Sequence, residues 1–91
     1  MGYEWLAATL AALRDLEAYE VHQALAADRR WPRPATGPGG VPVLTIWART
    51  EAGRRLIVVL RPASQFDWWI VGARDMNVAE AAAYDRWEAQ Q

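Results

Sequence analysis

Cysteine and lysine are both absent from this 91-residue sequence, and histidine occurs once, at His22. Without cysteine the chain has no disulfide, no thiolate metal ligand and no cysteine nucleophile. Without lysine it has no amine nucleophile, and all ten basic residues are arginines. A guanidinium group hardly deprotonates in a protein, so these arginines suit binding and charge stabilisation better than proton transfer.

A long apolar run is also missing. No stretch approaches the roughly 18–20 residues that a membrane-spanning helix needs. The beginning of the chain lacks a basic segment, and Glu4, Arg14 and Asp15 interrupt its apolar residues, which is not typical of a secretory signal. We therefore expect no membrane association and a cytoplasmic location. The length predicts a single domain over residues 1–91 with one hydrophobic core.

The net charge is only −1, but the charges are unevenly distributed. Residues 31–62 contain five arginines and one glutamate, whereas the segments on either side are acidic. A near-neutral composition is not typical of a general nucleic-acid-binding surface. A positive middle between acidic flanks nevertheless allows a local anion site.

The first third of the chain favours helix. An apolar residue recurs every three or four positions from Tyr3 to Leu13, in an alanine-rich segment. Beyond Leu13 the apolar residues continue at positions that fall on a different face of the helix. This shift predicts two packed helices over residues 4–14 and 17–27, with Asp15 as a cap, or else one bent helix.

The middle of the chain favours strands. Residues 43–49, 54–61 and 66–73 are rich in β-branched and aromatic residues, and short turns join them into an antiparallel meander. An irregular loop rich in proline and glycine, residues 29–40, precedes the strands. A short edge strand around Trp31 is compatible with these prolines.

Residues 77–87 predict a final helix, with Asn77 as N-cap and Glu80 completing a capping box. The expected fold class is therefore α+β. The order ααβββα gives a small antiparallel sheet of three to four strands, two N-terminal helices and one C-terminal helix, with the helices on one face.

Three arginines are expected to meet at one edge of this sheet. Arg49 ends the first predicted strand, Arg55 begins the second, and Arg74 follows the third on the face of Trp68 and Ile70. Converging guanidinium groups bind a phosphate bidentately and stabilise charge that develops on it. Solvated strand-end arginines, or arginines paired with nearby acids, are the alternative interpretation.

Other side chains have both a structural and a chemical interpretation. His22 borders the apolar stripe of the second helix, where a structural role is favoured over acid–base catalysis. Glu80 fits a base or a cap, and Tyr84 fits a proton donor or a core aromatic residue. Trp68 and Trp69 alternate to opposite faces, so at least one of them belongs to the core. No metal-ligand cluster stands out, and no cofactor is expected.

Taken in order, these segments resemble BrnT-type toxins of the RelE-like ribonuclease superfamily. The family pattern is an apolar strand ending in arginine, a Gly-Arg that opens a Leu/Val-rich strand, an IISAR-like strand end, and a helix with Glu and Tyr four residues apart. The corresponding segments here are LTIWAR with Arg49, GRRLIVV with Gly53 and Arg54 or Arg55, IVGAR with Arg74, and Glu80 with Tyr84.

The resemblance implies a RelE-like fold and metal-independent cleavage of RNA, in which the 2′-hydroxyl attacks the adjacent phosphate. It also implies a cognate antitoxin protein that blocks the site, and a dimer or a toxin–antitoxin hetero-oligomer. It assigns catalysis to Arg49, Arg55, Arg74 and Tyr84. Arg54, Arg61 and Glu80 are the residues expected to bind RNA or phosphate.

Two other functions stay open at this point. The low positive charge also fits a non-catalytic protein-interaction module on the same fold. A regulator that binds nucleic acid without cleaving it is the third interpretation.

Overall fold

Five strands and three α-helices make up the fold in the computed structural model, which describes residues 2–91. In chain order they are β1 (Gly2–Trp5), α1 (Ala7–Ala12), α2 (Ala18–Leu25), β2 (Trp31–Thr36), β3 (Pro42–Arg49), β4 (Arg55–Pro62), β5 (Asp67–Asp75) and α3 (Val78–Glu88), with a short 3-10 turn at Pro38–Gly40. The α+β class is confirmed. The prediction of three to four strands is wrong, because the sheet has five.

The sheet is mixed rather than antiparallel. Its strand order is β1-β5-β4-β3-β2, in which β1 runs parallel to β5 and all other neighbours are antiparallel. The predicted meander of three strands corresponds to β3, β4 and β5, displaced by about one residue. The two additional strands lie at its edges, where each has one neighbour.

The predicted helix over residues 4–14 is wrong in its first half. Residues Gly2–Trp5 form β1, and only Ala7–Ala12 are helical. The backbone of β1 completes hydrogen bonds along the edge of β5, from Gly2 opposite Asp67 to Trp5 opposite Ile70. Tertiary pairing thus overrides the helical preference of the segment, because an edge strand offers its unpaired backbone groups to this segment.

Strand β2 occupies the proline-rich segment. Pro32 and Pro34 lie within it, paired antiparallel with β3 at the outer edge of the sheet. An edge position tolerates proline, since the missing amide would face away from the neighbouring strand. The edge strand around Trp31 that the sequence allowed is therefore present.

Helix α2 covers one face of the sheet and forms the core with it. Val21, Ala24 and Leu25 of α2 are buried against side chains of the three central strands. These side chains are Ile46, Ala48, Leu56, Val58, Leu60 and Ile70. The helix begins with a capping box made by Glu17 and Glu20, so the predicted cap, Asp15, is not the residue that starts it.

A β-bulge in β5 changes which side chains face the core. Val59 pairs with Gly72 and Leu60 with Ile70, so Val71 is an extra residue in β5. The predicted placement of Arg74 on the face of Ile70 is wrong for this reason. The bulge moves Arg74 to the opposite face, where Ile57 is its partner in register.

Helix α3 lies against this opposite face, at the ends of the strands. Its acidic side chains bond to Arg49, Arg55 and Arg74, which point away from α2. Trp87 of α3 stacks on Trp31 at a centroid distance of 5.5 Å. The prediction that all helices share one face is therefore wrong for α3.

Within residues 2–91, no helix is both long enough and apolar enough to cross a membrane.

The packing of β4 against α2 predicts a large difference between two identical substitutions. Val58 is fully buried, whereas Val78 is 90% exposed at the start of α3. We expect Val58→Ala to lower the free energy of unfolding by about 2 kcal/mol, because it removes buried methyl groups and leaves a cavity. Val78→Ala should change it by less than about 0.5 kcal/mol. Urea unfolding measures both, and equal losses would contradict the core assigned here.

Candidate functional site

The structure brings together the three arginines expected at one sheet edge. Arg49 lies directly opposite Arg55 in the β3–β4 register. Arg74 of β5 lies opposite Ile57, two residues along β4 from Arg55 and on the same face. We call Arg49, Arg55 and Arg74 the arginine row. Each of three adjacent strands contributes one guanidinium group to it.

Every arginine of the row bonds to a carboxylate of α3. Arg74 Nη1 and Nη2 donate to Glu80 Oε1 and Oε2 at 2.6 and 2.7 Å. Arg55 Nε and Nη2 donate to Asp85 Oδ1 and Oδ2 at 2.7 and 3.0 Å. Arg49 Nε and Nη2 both donate to Glu88 Oε2, at 3.0 and 2.8 Å. Two nitrogens of each guanidinium group are thus bonded to carboxylates within the protein.

The spacing of these acids matches the spacing of the strands. Glu80 to Glu88 is eight residues of helix, or about 12 Å of rise. Two strand intervals are about 9.5 Å, and the two-residue offset of Arg74 along β4 brings the distance from Arg74 to Arg49 to about 12 Å. Helix α3 therefore crosses the strand ends with one ion pair for each strand. Two of the pairs use the two-pronged geometry in which arginine binds carboxylate most specifically.

Tyr84 joins one end of the row to the interior. Its side chain is fully buried, and its hydroxyl lies 2.8 Å from the carbonyl oxygen of Arg29 and 3.2 Å from Glu88 Oε2. Burial raises the pKa of the Tyr84 hydroxyl, with the negative charge of Glu88 adding to the effect. The buried Tyr84 ring has the core-aromatic role considered for it, and its hydroxyl is a hydrogen-bond donor that links α3 to the Arg29 backbone and to Glu88.

A shallow groove adjoins this cluster. It has a volume of about 320 Å³, and Arg29, Arg49, Tyr84 and Glu88 are among the residues that line it. Glu88 is the more enclosed partner of its ion pair, with 14% of its side chain exposed against 42% for Arg49. The lining also includes Asp28 and Glu51, so an anion entering here would meet carboxylates as well as Arg49.

Glu80 has two structural roles at the start of α3. Asn77 Oδ1 accepts from the Glu80 amide at 2.8 Å, and Glu80 Oε1 accepts from the Asn77 amide at 2.9 Å, so the predicted capping box is confirmed. The hydrogen bonds from Arg74 are the main reason why the pKa of Glu80 falls to about 2. A carboxylate with so low a pKa is a weak base.

Arg54 and Arg61 lie apart from the arginine row. Arg54 points to the α2 side, where it donates to Asp75 at 2.7 and 2.8 Å and to Glu20 at 3.2 Å. Arg61 is exposed at the far end of β4, six residues or about 20 Å from Arg55. The structure does not bring these two arginines to the site with the other three.

His22 is engaged away from the row. Its Nε2 accepts a hydrogen bond from Trp5 Nε1 at 2.9 Å, which requires the neutral ring with its proton on Nδ1. This contact ties α2 to β1 and agrees with the structural role favoured for His22. Among residues 2–91, no group of three or more His, Asp or Glu side chains is arranged to hold a metal ion.

Sequence reasoning missed Asp85 and Glu88, two of the three acids that face the arginine row. Glu88 follows Tyr84 by four residues, as Tyr84 follows Glu80, so helical spacing alone places all three on one side of α3. Asp85 lies next to Tyr84 in the sequence, and its role as a partner of the row is visible only once the position of Arg55 is known. The sequence gives no signal for Arg33 either, because its proline-rich surroundings predict a loop and not strand β2.

The low pKa of Glu80 predicts a loss of stability in acid. Its ordinary pKa is 4.5, and the folded protein lowers it to about 2. The ion pair with Arg74 therefore stabilises the fold above pH 4.5, and this contribution is lost as the pH falls from about 4.5 to 2. Glu80→Gln keeps a capping box but not the charge. We expect the variant to lose less stability than the native protein between pH 6 and pH 3 in urea unfolding.

The matched control is Glu4→Gln, an exposed carboxylate of β1 that has no arginine partner among residues 2–91. It should lose as much stability in acid as the native protein. Identical acid losses for the native protein and for Glu80→Gln would contradict the assigned ion pair.

The candidate site is thus a row of three arginines already bound to three carboxylates, with Tyr84 behind one end. The function is therefore inferred from the chemistry of this site and not from related sequences. No protein-family model matches this chain, and no curated protein matches it.

Proposed function

We propose that this chain is the toxin of a type II toxin–antitoxin system, with a RelE-like fold, that cleaves RNA at the arginine row. The observation that supports the proposal is the alignment of Arg49, Arg55 and Arg74 on one face at the ends of three adjacent strands. Guanidinium groups on adjacent strands supply donors for phosphodiester oxygens along a bound RNA and stabilise the extra negative charge of a transition state. The ordered motifs that resemble BrnT-type toxins contain the same arginines.

Binding of RNA requires exchange of anions in this proposal. A phosphate would replace the α3 carboxylates as the partner of the row. An exposed ion pair contributes only about 0.2–1 kcal/mol, so exchange for a doubly hydrogen-bonded phosphate is easiest where both partners are exposed. Arg55 and Asp85 are the easiest pair to separate, since their side chains are 37% and 47% exposed.

The chemical step follows from the groups at the row. The 2′-oxygen forms a bond to phosphorus while the bond from phosphorus to the 5′-oxygen of the next nucleotide breaks. Glu88, released by Arg49 and held by the Tyr84 hydroxyl, is the acceptor for the 2′ proton, and the departing 5′-oxygen takes a proton from water. The arginines stabilise the phosphorane-like charge without transferring protons themselves. A cognate antitoxin protein would cover the row and block this access.

Substitutions in the row test the enzymatic claim. We expect Arg49→Ala, Arg55→Ala and Arg74→Ala each to lower the rate of RNA cleavage by about 10²–10³-fold, the usual effect of removing one donor to a developing anion. Arg86→Ala, on the exposed surface of α3, is the matched control and should leave the rate unchanged. Cleavage is measured on a labelled RNA, and circular dichroism checks that each variant folds. An intact RNA after incubation with the native protein would refute the proposal.

A non-catalytic protein-interaction module is the second candidate, and a specific observation favours it. All three arginines of the row have bonded carboxylate partners, so their charges are balanced within the protein. In that case the row holds α3 in place and the chain acts through a protein partner encoded beside it. The partner complex, measured by size-exclusion chromatography on co-expressed proteins, should then survive all three alanine substitutions while RNA stays uncut. Cleavage of RNA that depends on the row would exclude this candidate.

A further inference from the structure

The face of the sheet that α2 leaves open carries a second set of cationic and aromatic side chains. Helix α3 covers only the strand ends there, and Thr45, Trp47 and Val59 farther along the strands stay partly exposed. A groove of about 300 Å³ runs across this face. Its lining consists of Arg33, Pro34, Ala35, Thr45, Trp47, Ile57 and Arg74. We call it the Arg33–Trp47 groove.

Arg33 differs from the arginines of the row in its partners. Its guanidinium lies over two indole rings, 4.5 Å from the centroid of Trp31 and 5.0 Å from that of Trp47. Among residues 2–91 no carboxylate pairs with it. Its five donors are therefore available to an anion, and its outer planar surface is available for stacking.

The floor of the groove is held in a fixed orientation. Trp47 Nε1 donates to Thr45 Oγ1 at 3.1 Å, and Thr45 Oγ1 donates to the Arg33 carbonyl oxygen at 2.6 Å. Pro32 precedes Arg33 and Pro34 follows it, and both restrict the backbone of β2. A ligand would meet a preformed surface, so little conformational entropy would be lost on binding.

The lining of the groove specifies the kind of ligand. It contains no acidic residue, and Arg33 has no carboxylate partner among residues 2–91, so this end of the groove is complementary to an anion. Flat indole and guanidinium surfaces also favour a planar ring, because bases of unpaired nucleic acid stack on aromatic side chains and on arginine. Its volume is at the lower limit of small-ligand pockets, which suits a single nucleotide rather than a folded partner.

Arg74 connects this groove to the arginine row. It lines the groove and is also the row member bonded to Glu80. A strand of RNA whose phosphate lies on the row can therefore continue across the open face with the next base near Trp47. A duplex would not present an unstacked base to this surface.

We propose that the Arg33–Trp47 groove binds one base of single-stranded RNA next to the phosphate held by the arginine row. The inference rests on the proposed function for the identity of the ligand, but it assigns a separate subsite to residues that the cleavage chemistry does not use. Arg33 is a binding residue here, and it has no part in proton transfer.

The test compares Arg33→Gln and Arg33→Lys with Arg86→Gln, an exposed arginine of α3 outside the groove. The probe is a fluorescent 2′-O-methyl oligoribonucleotide, which the protein cannot cleave, and binding is followed by anisotropy over a range of salt concentrations. Arg33→Gln should weaken binding by roughly tenfold or more, as expected for the loss of one stacked base and one phosphate contact. Arg33→Lys should restore the salt dependence but not the affinity, because lysine has the charge without the planar group. Arg86→Gln should bind like the native protein.

The outcomes separate this inference from the function on which it rests. If Arg55→Ala abolishes binding while Arg33→Gln binds RNA like the native protein, the groove is not a subsite, although the row is a binding site. If the native protein neither binds nor cleaves RNA, both proposals are wrong. If Arg33→Gln loses affinity for a polyglutamate peptide and not for RNA, the groove accepts an acidic protein segment, and the nucleotide assignment is overturned.

Discussion

Three arginine–carboxylate pairs between the strand ends and α3 determine how this protein presents its positive charge. Helix α3 buries few apolar side chains, with Tyr84 its only fully buried residue in the part of the chain that the structure describes. Its position therefore depends on Glu80, Asp85 and Glu88 and on the stacking of Trp87 on Trp31. The same bonds that hold the helix also neutralise the arginines. Holding α3 and binding an external anion are consequently alternatives for the same guanidinium groups.

The β-bulge at Val71 is the feature that makes the row continuous. Without the extra residue, strict alternation would turn Arg74 toward the α2 side and leave a row of two. The bulge is also supported from behind, since Thr9 Oγ1 of α1 donates to the Val71 carbonyl oxygen at 3.1 Å. The short first helix thus has a specific role: it supports the backbone at the place where β5 changes its face.

Much of this arrangement is encoded locally, and the remainder is not. The capping box of α3, the three central strands and the common edge of Arg49, Arg55 and Arg74 follow from spacing and turn residues. The bulge could not be inferred, because a one-residue shift in register leaves no mark in composition. Strand β1 was also hidden, since alanine-rich flanks favour helix and only the open edge of β5 selects an extended backbone. The carboxylate partners of the row could not be predicted either, because they depend on the angle at which α3 crosses the strands, and that angle depends on the complete fold.

The central claim is that the α3 carboxylates compete with an external phosphate for the arginine row. Asp85→Asn tests it most directly, because among residues 2–91 the Asp85 side chain bonds only to Arg55 and takes part in neither the capping box nor the contact with Tyr84. The account predicts that this variant binds a 2′-O-methyl oligoribonucleotide more tightly than the native protein does. It also predicts that Asp15→Asn, the same charge change in the loop before α2, has a smaller effect. Equal affinity of Asp85→Asn and the native protein for RNA would contradict the claim.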